Sequence, residues 1–70
     1  MGKAKERRRR RAELKKAESE LTAIQTALDQ AYSRFDHASD PVLTDAYIYE
    51  INALRARYDH AVKGLKMLFQ

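Results

Sequence analysis

The chain has 70 residues, no cysteine and a formal net charge of +4. This length allows one small domain, which usually needs a staple, a metal or a partner chain to complete its core, and the lack of cysteine excludes disulfide and thiolate–metal staples. No apolar run approaches the roughly 20 residues of a membrane span, and no secretory signal is recognisable, so we expect a cytoplasmic protein without membrane insertion.

The charge is concentrated in the first part of the chain. Residues 1–16 hold nine basic and two acidic side chains, or +7, whereas residues 17–70 hold five basic and eight acidic ones, or −3. Such asymmetry indicates an anionic partner for the basic part alone. The predicted contact residues are basic side chains: Arg7, Arg8, Arg9, Arg10, Arg11, Lys15 and Lys16, supported by Lys3 and Lys5.

The basic run has more than one interpretation. Adjacent guanidinium groups repel one another, and a helix N-terminus disfavours cations, so we expect residues 1–9 to form a disordered arm that orders on binding. The leading interpretation is non-specific association with nucleic acid through the phosphate backbone, because no aromatic side chain offers base stacking. A solvated tail that maintains solubility is the alternative, and attraction to anionic lipid or an acidic protein is a third.

The first helix is predicted over residues 10–38. Its apolar side chains recur in alternating steps of three and four, which is typical of one face of a helix, and neither glycine nor proline interrupts it. These stripe positions are Leu14, Ala17, Leu21, Ile24, Leu28, Ala31 and Phe35.

The second helix is predicted over residues 41–68, after a turn at residues 38–43. Asp40 can cap the helix, and Pro41 fits its first position, where the missing N–H costs nothing. Thr44 with Asp45 offers a competing start one turn later. The second stripe comprises Tyr47, Ile51, Leu54, Tyr58, Ala61, Leu65 and Leu68.

Two stripes separated by one turn predict an all-α fold, an antiparallel two-helix hairpin formed by residues 10–70. One register gives the layers Leu14–Leu68, Ala17–Leu65, Leu21–Ala61, Ile24–Tyr58, Leu28–Leu54, Ala31–Ile51 and Phe35–Tyr47, and a shift of one turn remains open.

The second helix has more apolar surface than one partner helix covers. The predicted interface residues are Ile48, Val62 and Phe69, which follow one line beside the stripe, and Tyr49, which points away from it. We expect a second copy of the hairpin to cover this surface, giving a homodimeric four-helix bundle, or else an unidentified protein partner.

The sequence offers no set of residues for catalysis. His37 and His60 are far apart within one hairpin, and no histidine pair has the helical spacing of a metal site. We therefore expect a non-enzymatic binding or adaptor protein with no metal and no cofactor.

Residues 40–54, followed by Ala56-Arg57-Tyr58, resemble the YaaL-like family of small proteins from Gram-positive bacteria. The similar features are the Asp-Pro turn, the run Ile48-Tyr49-Glu50-Ile51 and an Ala-basic-Tyr run one helical turn later, within a resemblance covering roughly residues 24–66. Arg55 and Thr44 depart from the family pattern. The family is a domain of unknown function, so the resemblance implies a small cytoplasmic bacterial helical protein. Its members are often encoded near a recombination-repair gene, which favours a nucleic-acid context.

Overall fold

The computed structural model describes residues 2–69, all in two helices and their connections, with no strand among them. Helix α1 spans Gly2–His37 and helix α2 spans Pro41–Met67. The helices pack against each other as a hairpin measuring 59 × 16 × 12 Å. The terminal residues of the predicted ranges 1–9 and 10–70, Met1 and Gln70, lie outside the described residues.

The bend between the helices uses the predicted capping chemistry. Asp40 has an extended backbone, and its carboxylate accepts a hydrogen bond from the Val42 N–H at 2.9 Å. The Asp40 carbonyl accepts from both the N–H and the hydroxyl of Thr44, at 2.9 and 3.0 Å. Thr44 therefore supports the start at Pro41 and does not begin the helix itself, because its N–H completes the first helical hydrogen bond.

The core follows the two predicted stripes. All fourteen stripe positions are buried or half-buried, and the two most buried are Ala31 and Ile51, with 0% and 7% of their surface exposed. These two residues belong to the same predicted layer. The remaining stripe side chains are only half-buried, because each helix has one neighbour to cover it.

One ion pair joins the helices within residues 2–69. The Arg34 guanidinium lies 2.9 Å from the Glu50 carboxylate. Arg34 directly precedes the core residue Phe35, and Glu50 directly precedes the core residue Ile51, so both side chains lie beside the core on the same side of the hairpin. Side chains at such matching positions lie next to each other in an antiparallel pair of helices. The ion pair therefore fits the predicted register.

The start of α1 differs from the sequence-based prediction. The helix begins at Gly2 instead of near residue 10, and residues 2–9 are helical instead of disordered. Adding a residue to an existing helix gains one hydrogen bond, whereas nucleation is the costly step. Ala, Lys, Arg and Glu, which make up residues 3–13, all favour helix, and this propensity outweighs the repulsion among the arginines.

Candidate nucleic-acid interface

The helices differ in length, and the difference places the basic residues beyond the hairpin. At about 1.5 Å per residue, α1 is about 54 Å long and α2 about 40 Å long. The bend aligns the helices at their other ends, so the first turns of α1 extend past the last turn of α2. We call residues 2–13 the basic overhang, and every one of them is exposed.

The arginines surround the helix on all sides. Successive residues of an α-helix are separated by about 100° of rotation, so the five from Arg7 to Arg11 sweep about 400°. Lys15 and Lys16 are also exposed, but they lie on the covered part of α1, alongside the hairpin. The overhang therefore presents positive charge in every direction perpendicular to its axis.

The overhang carries no apolar stripe. If the core spacing of three and four continued before Leu14, it would place Arg10, Arg7 and Lys3 at the core positions. Packing an apolar helix there would bury unpaired charges, which costs several kcal/mol per group. An apolar helix is therefore a poor partner for the overhang, whereas a polyanion is a suitable one.

Ion pairs within residues 2–69 do not neutralise the arginines of the overhang. Among residues 2–69 the Arg34–Glu50 pair is the one salt bridge, so no carboxylate lies within 4.0 Å of the Arg7–Arg11 guanidinium groups. The overhang itself contains Glu6 and Glu13, which leave its net charge strongly positive. These five guanidinium groups can donate hydrogen bonds to external phosphate oxygens without first breaking an internal ion pair.

The four predicted interface residues differ in their exposure; three lie on α2, and Phe69 lies just beyond its end. Tyr49 and Phe69 are highly exposed, at 76% and 71%, and Ile48 is 41% exposed. Val62 is half-buried, since it lies close enough to the core to be partly covered within the hairpin.

The structure adds exposed apolar residues that the sequence interpretation did not include. Val42, Leu43, Met67 and Tyr32 each have more than a third of their surface exposed. Val42 and Leu43 lie in the first turn of α2, and Tyr32 flanks the stripe of α1. Because all four residues lie off the two apolar stripes, the sequence pattern is consistent with their exposure.

The histidines lie apart and have separate surroundings. Nδ1 of His37 lies 2.7 Å from the Ser33 carbonyl oxygen, one turn earlier on α1. His60 lies on α2, beside a shallow groove between the helices that is lined by Glu20, Ala23, Ile24, Ala56, Arg57 and Ala61. Within residues 2–69 no three His, Cys, Asp or Glu side chains form a group that could hold a metal ion.

Comparison with known proteins leaves the YaaL-like resemblance as a prediction. No family model, no curated protein and no solved structure matches the chain. Neither α1 nor α2, over the part of the chain described, combines the length and apolar character needed to cross a membrane.

Proposed function

We propose that this protein is a non-enzymatic helical binding protein that associates with nucleic acid through the basic overhang. The observation that supports this function is the exposure of five consecutive arginines, Arg7–Arg11, with no carboxylate of residues 2–69 bridging them. Charges of one sign on a helix without counterions destabilise that helix, and bound phosphates remove the repulsion. Lys15 and Lys16 extend the same surface towards the hairpin.

The association is electrostatic and independent of base sequence. Basic side chains that neutralise phosphates release condensed counterions, so the affinity falls as salt rises. If about four to six phosphates are neutralised, the slope of log affinity against log salt on duplex DNA is about −4 to −5. Residues 17–70, with a charge of −3, contribute little or repel.

Replacing Arg7–Arg11 by glutamine tests this function. We expect binding to a fluorescent oligonucleotide to be lost and the salt slope to flatten, because the side chains that displace counterions are gone. Circular dichroism should show that the hairpin remains folded, since all five residues lie outside the covered core.

The matched control removes basic charges from the hairpin instead, with the substitutions R55Q, R57Q, K63Q and K66Q. This control should keep the salt slope of the unmodified protein. A salt-independent affinity, or full binding by a protein lacking residues 1–12, would contradict the proposed function.

We further propose that two hairpins associate as a homodimeric four-helix bundle in the cytoplasm. The exposed Ile48, Tyr49 and Phe69 support the dimer, because a second hairpin would remove their apolar surface from water. The absence of cysteine and the resemblance of residues 24–66 to the YaaL-like family support the cytoplasmic location.

A second candidate function is a protein–protein adaptor whose partner docks on α2. The exposure of Tyr49 and Phe69 favours it, since exposed aromatic side chains are common at interfaces. Purification separates the two functions: nucleic acid that co-purifies with the protein and is removed by high salt supports the overhang. A protein that co-purifies regardless of salt, and is lost when Tyr49 is changed to serine, supports the adaptor.

A further inference from the structure

We infer that the ligand of the basic overhang is B-form duplex DNA, bound in the major groove, in preference to single strands and to duplex RNA. This inference rests on the proposed function and specifies its ligand. It depends on three features: the helical state of residues 2–16, the direction of their charges and the side-chain types that they lack.

The basic overhang is helical in the protein without a ligand. Helix α1 is continuous from Gly2 to His37, so the hairpin supports the overhang from one end. An α-helix with its side chains is about 10–12 Å across, and the B-DNA major groove, about 12 Å wide, admits one. Residues 2–13, the basic overhang, extend about 18 Å along the axis, enough to follow the groove over several base pairs.

The charge distribution matches a ligand with phosphates on two sides. Arg8 and Arg10 point about 200° apart around the helix axis, and Arg7 and Arg9 are related in the same way. A helix in the major groove lies between two phosphate backbones, so oppositely directed arginines can contact both strands. A single strand offers one backbone, which leaves the arginines on the far side without phosphates.

The composition of the overhang argues against the other nucleic acids. Residues 2–16 contain no aromatic side chain, so they lack the stacking platforms on which single-stranded bases are held. The major groove of A-form RNA is narrow and deep and does not admit the helix. Neither Asn nor Gln occurs in residues 2–16, so the amide pairing that reads adenine is absent and phosphate contacts predominate.

A comparison of three probes of equal length and sequence tests the inference. Fluorescence anisotropy at one salt concentration should give several-fold tighter binding to duplex DNA than to single-stranded DNA or duplex RNA. Duplex DNA with bulky groups at C5 of its pyrimidines, which project into the major groove, should bind several-fold more weakly. A ligand that fills the minor groove should leave the affinity unchanged.

The outcomes separate this inference from the proposed function. Equal affinity for the three probes, or displacement by the minor-groove ligand, would overturn the assignment to the major groove while leaving electrostatic association in place. No binding to any probe would overturn both.

A variant that retains every charge tests the role of the preformed helix. A12P breaks α1 near the C-terminal end of the overhang, and the isolated residues 2–11 are too short to remain helical. The proline then falls in the first turn of the shortened helix, where it is tolerated. A12P should lose the preference for duplex DNA and retain salt-dependent binding, whereas the control A12S should keep both. An unchanged preference in A12P would contradict the inference.

Discussion

Ala31 is the residue at which the hairpin is most tightly packed. It is fully buried, and it shares a predicted layer with the larger Ile51. A small residue on one helix opposite a branched residue on the other allows the helix axes to approach closely. The size of residue 31, more than its hydrophobicity, therefore sets the separation of the helices near the bend.

Replacing Ala31 by leucine should destabilise the hairpin by about 1–3 kcal/mol, because the added side-chain volume has no space in this layer. Urea denaturation followed by circular dichroism measures the change. The control A46L places the same side chain at an exposed position of α2, where little change is expected. If A31L were as stable as A46L, the close packing of this layer would be disproved.

The Arg34–Glu50 ion pair contributes to alignment more than to stability. The two side chains are 49% and 41% exposed, and pairs that are this accessible to water contribute about 0–1 kcal/mol. The pair would nevertheless be lost if one helix moved by one turn along the other, because Arg34 and Glu50 would no longer be adjacent. It therefore favours the predicted register over its neighbours.

The start of helix α2 depends on its N-terminal cap. Asp40 holds the Val42 N–H with its side chain and the Thr44 N–H with its carbonyl, which satisfies two donors of the first turn. Pro41 removes a third donor from that turn. The beginning of α2 is therefore determined by Asp40, Pro41 and Thr44.

Replacing Asp40 by alanine should lower the stability by about 1 kcal/mol, because the Val42 N–H loses its acceptor. D40N is the matched control: it keeps a capping oxygen and should recover most of the loss. Thermal unfolding of the three proteins at equal concentration measures the difference. Equal melting temperatures for D40A and D40N would show that the side-chain cap does not stabilise the bend.

Local sequence patterns predict the helices and the bend between them. The apolar spacing from Leu14 to Phe35 favours a helix, and the pair Asp40-Pro41 favours the start of a new one. The structure confirms two helices joined at that bend. The extension of α1 to Gly2 was not predicted, because it depends on a small balance between helix propensity and charge repulsion. The half-buried state of Val62 was missed since it depends on the exact rotation of α2.

The candidate site was predictable in composition and not in geometry. The run Arg7–Arg11 is apparent in the sequence, and its charge alone indicates an anionic ligand. Its exposure on a continuous helix, and the lack of a bridging carboxylate among the described residues, depend on where α2 ends and how the side chains pack. Those are tertiary properties, which composition and periodicity do not determine.

The hairpin as a whole is a single pair of helices with a small hydrophobic core. Only Ala31 and Ile51 are buried among residues 2–69, and the hairpin is 12 Å thick in its smallest dimension. Exposed apolar residues, including Tyr49 on α2 and Phe69 just after it, remain after the helices pair. A second hairpin would supply the missing layer, as in four-helix bundles.

Replacing Ile48 and Phe69 by lysine should convert the proposed dimer into a less stable monomer, because each lysine would place a charge in the interface. Sedimentation velocity over a range of concentrations measures the association. The control S19K/T26K adds the same charge at exposed positions of α1 and should leave the dimer intact. An unmodified protein that sediments as a stable monomer at high concentration would contradict the dimer.

The most buried residues and the polar contacts between the helices lie near the bend, and this has a kinetic consequence. The Asp40 cap, the Arg34–Glu50 pair and the two buried residues Ala31 and Ile51 all lie within a few turns of Pro41, so they close the shortest loops. Short loops lose the least entropy on closure, so folding should nucleate at the bend. Pairing of the helices should then proceed from the bend towards Leu14 and Leu68. Amide hydrogen exchange along α1 should then accelerate from Ala31 towards Leu14, and uniform exchange would contradict this order. The basic overhang would adjoin the last part of the hairpin to close and the first to open.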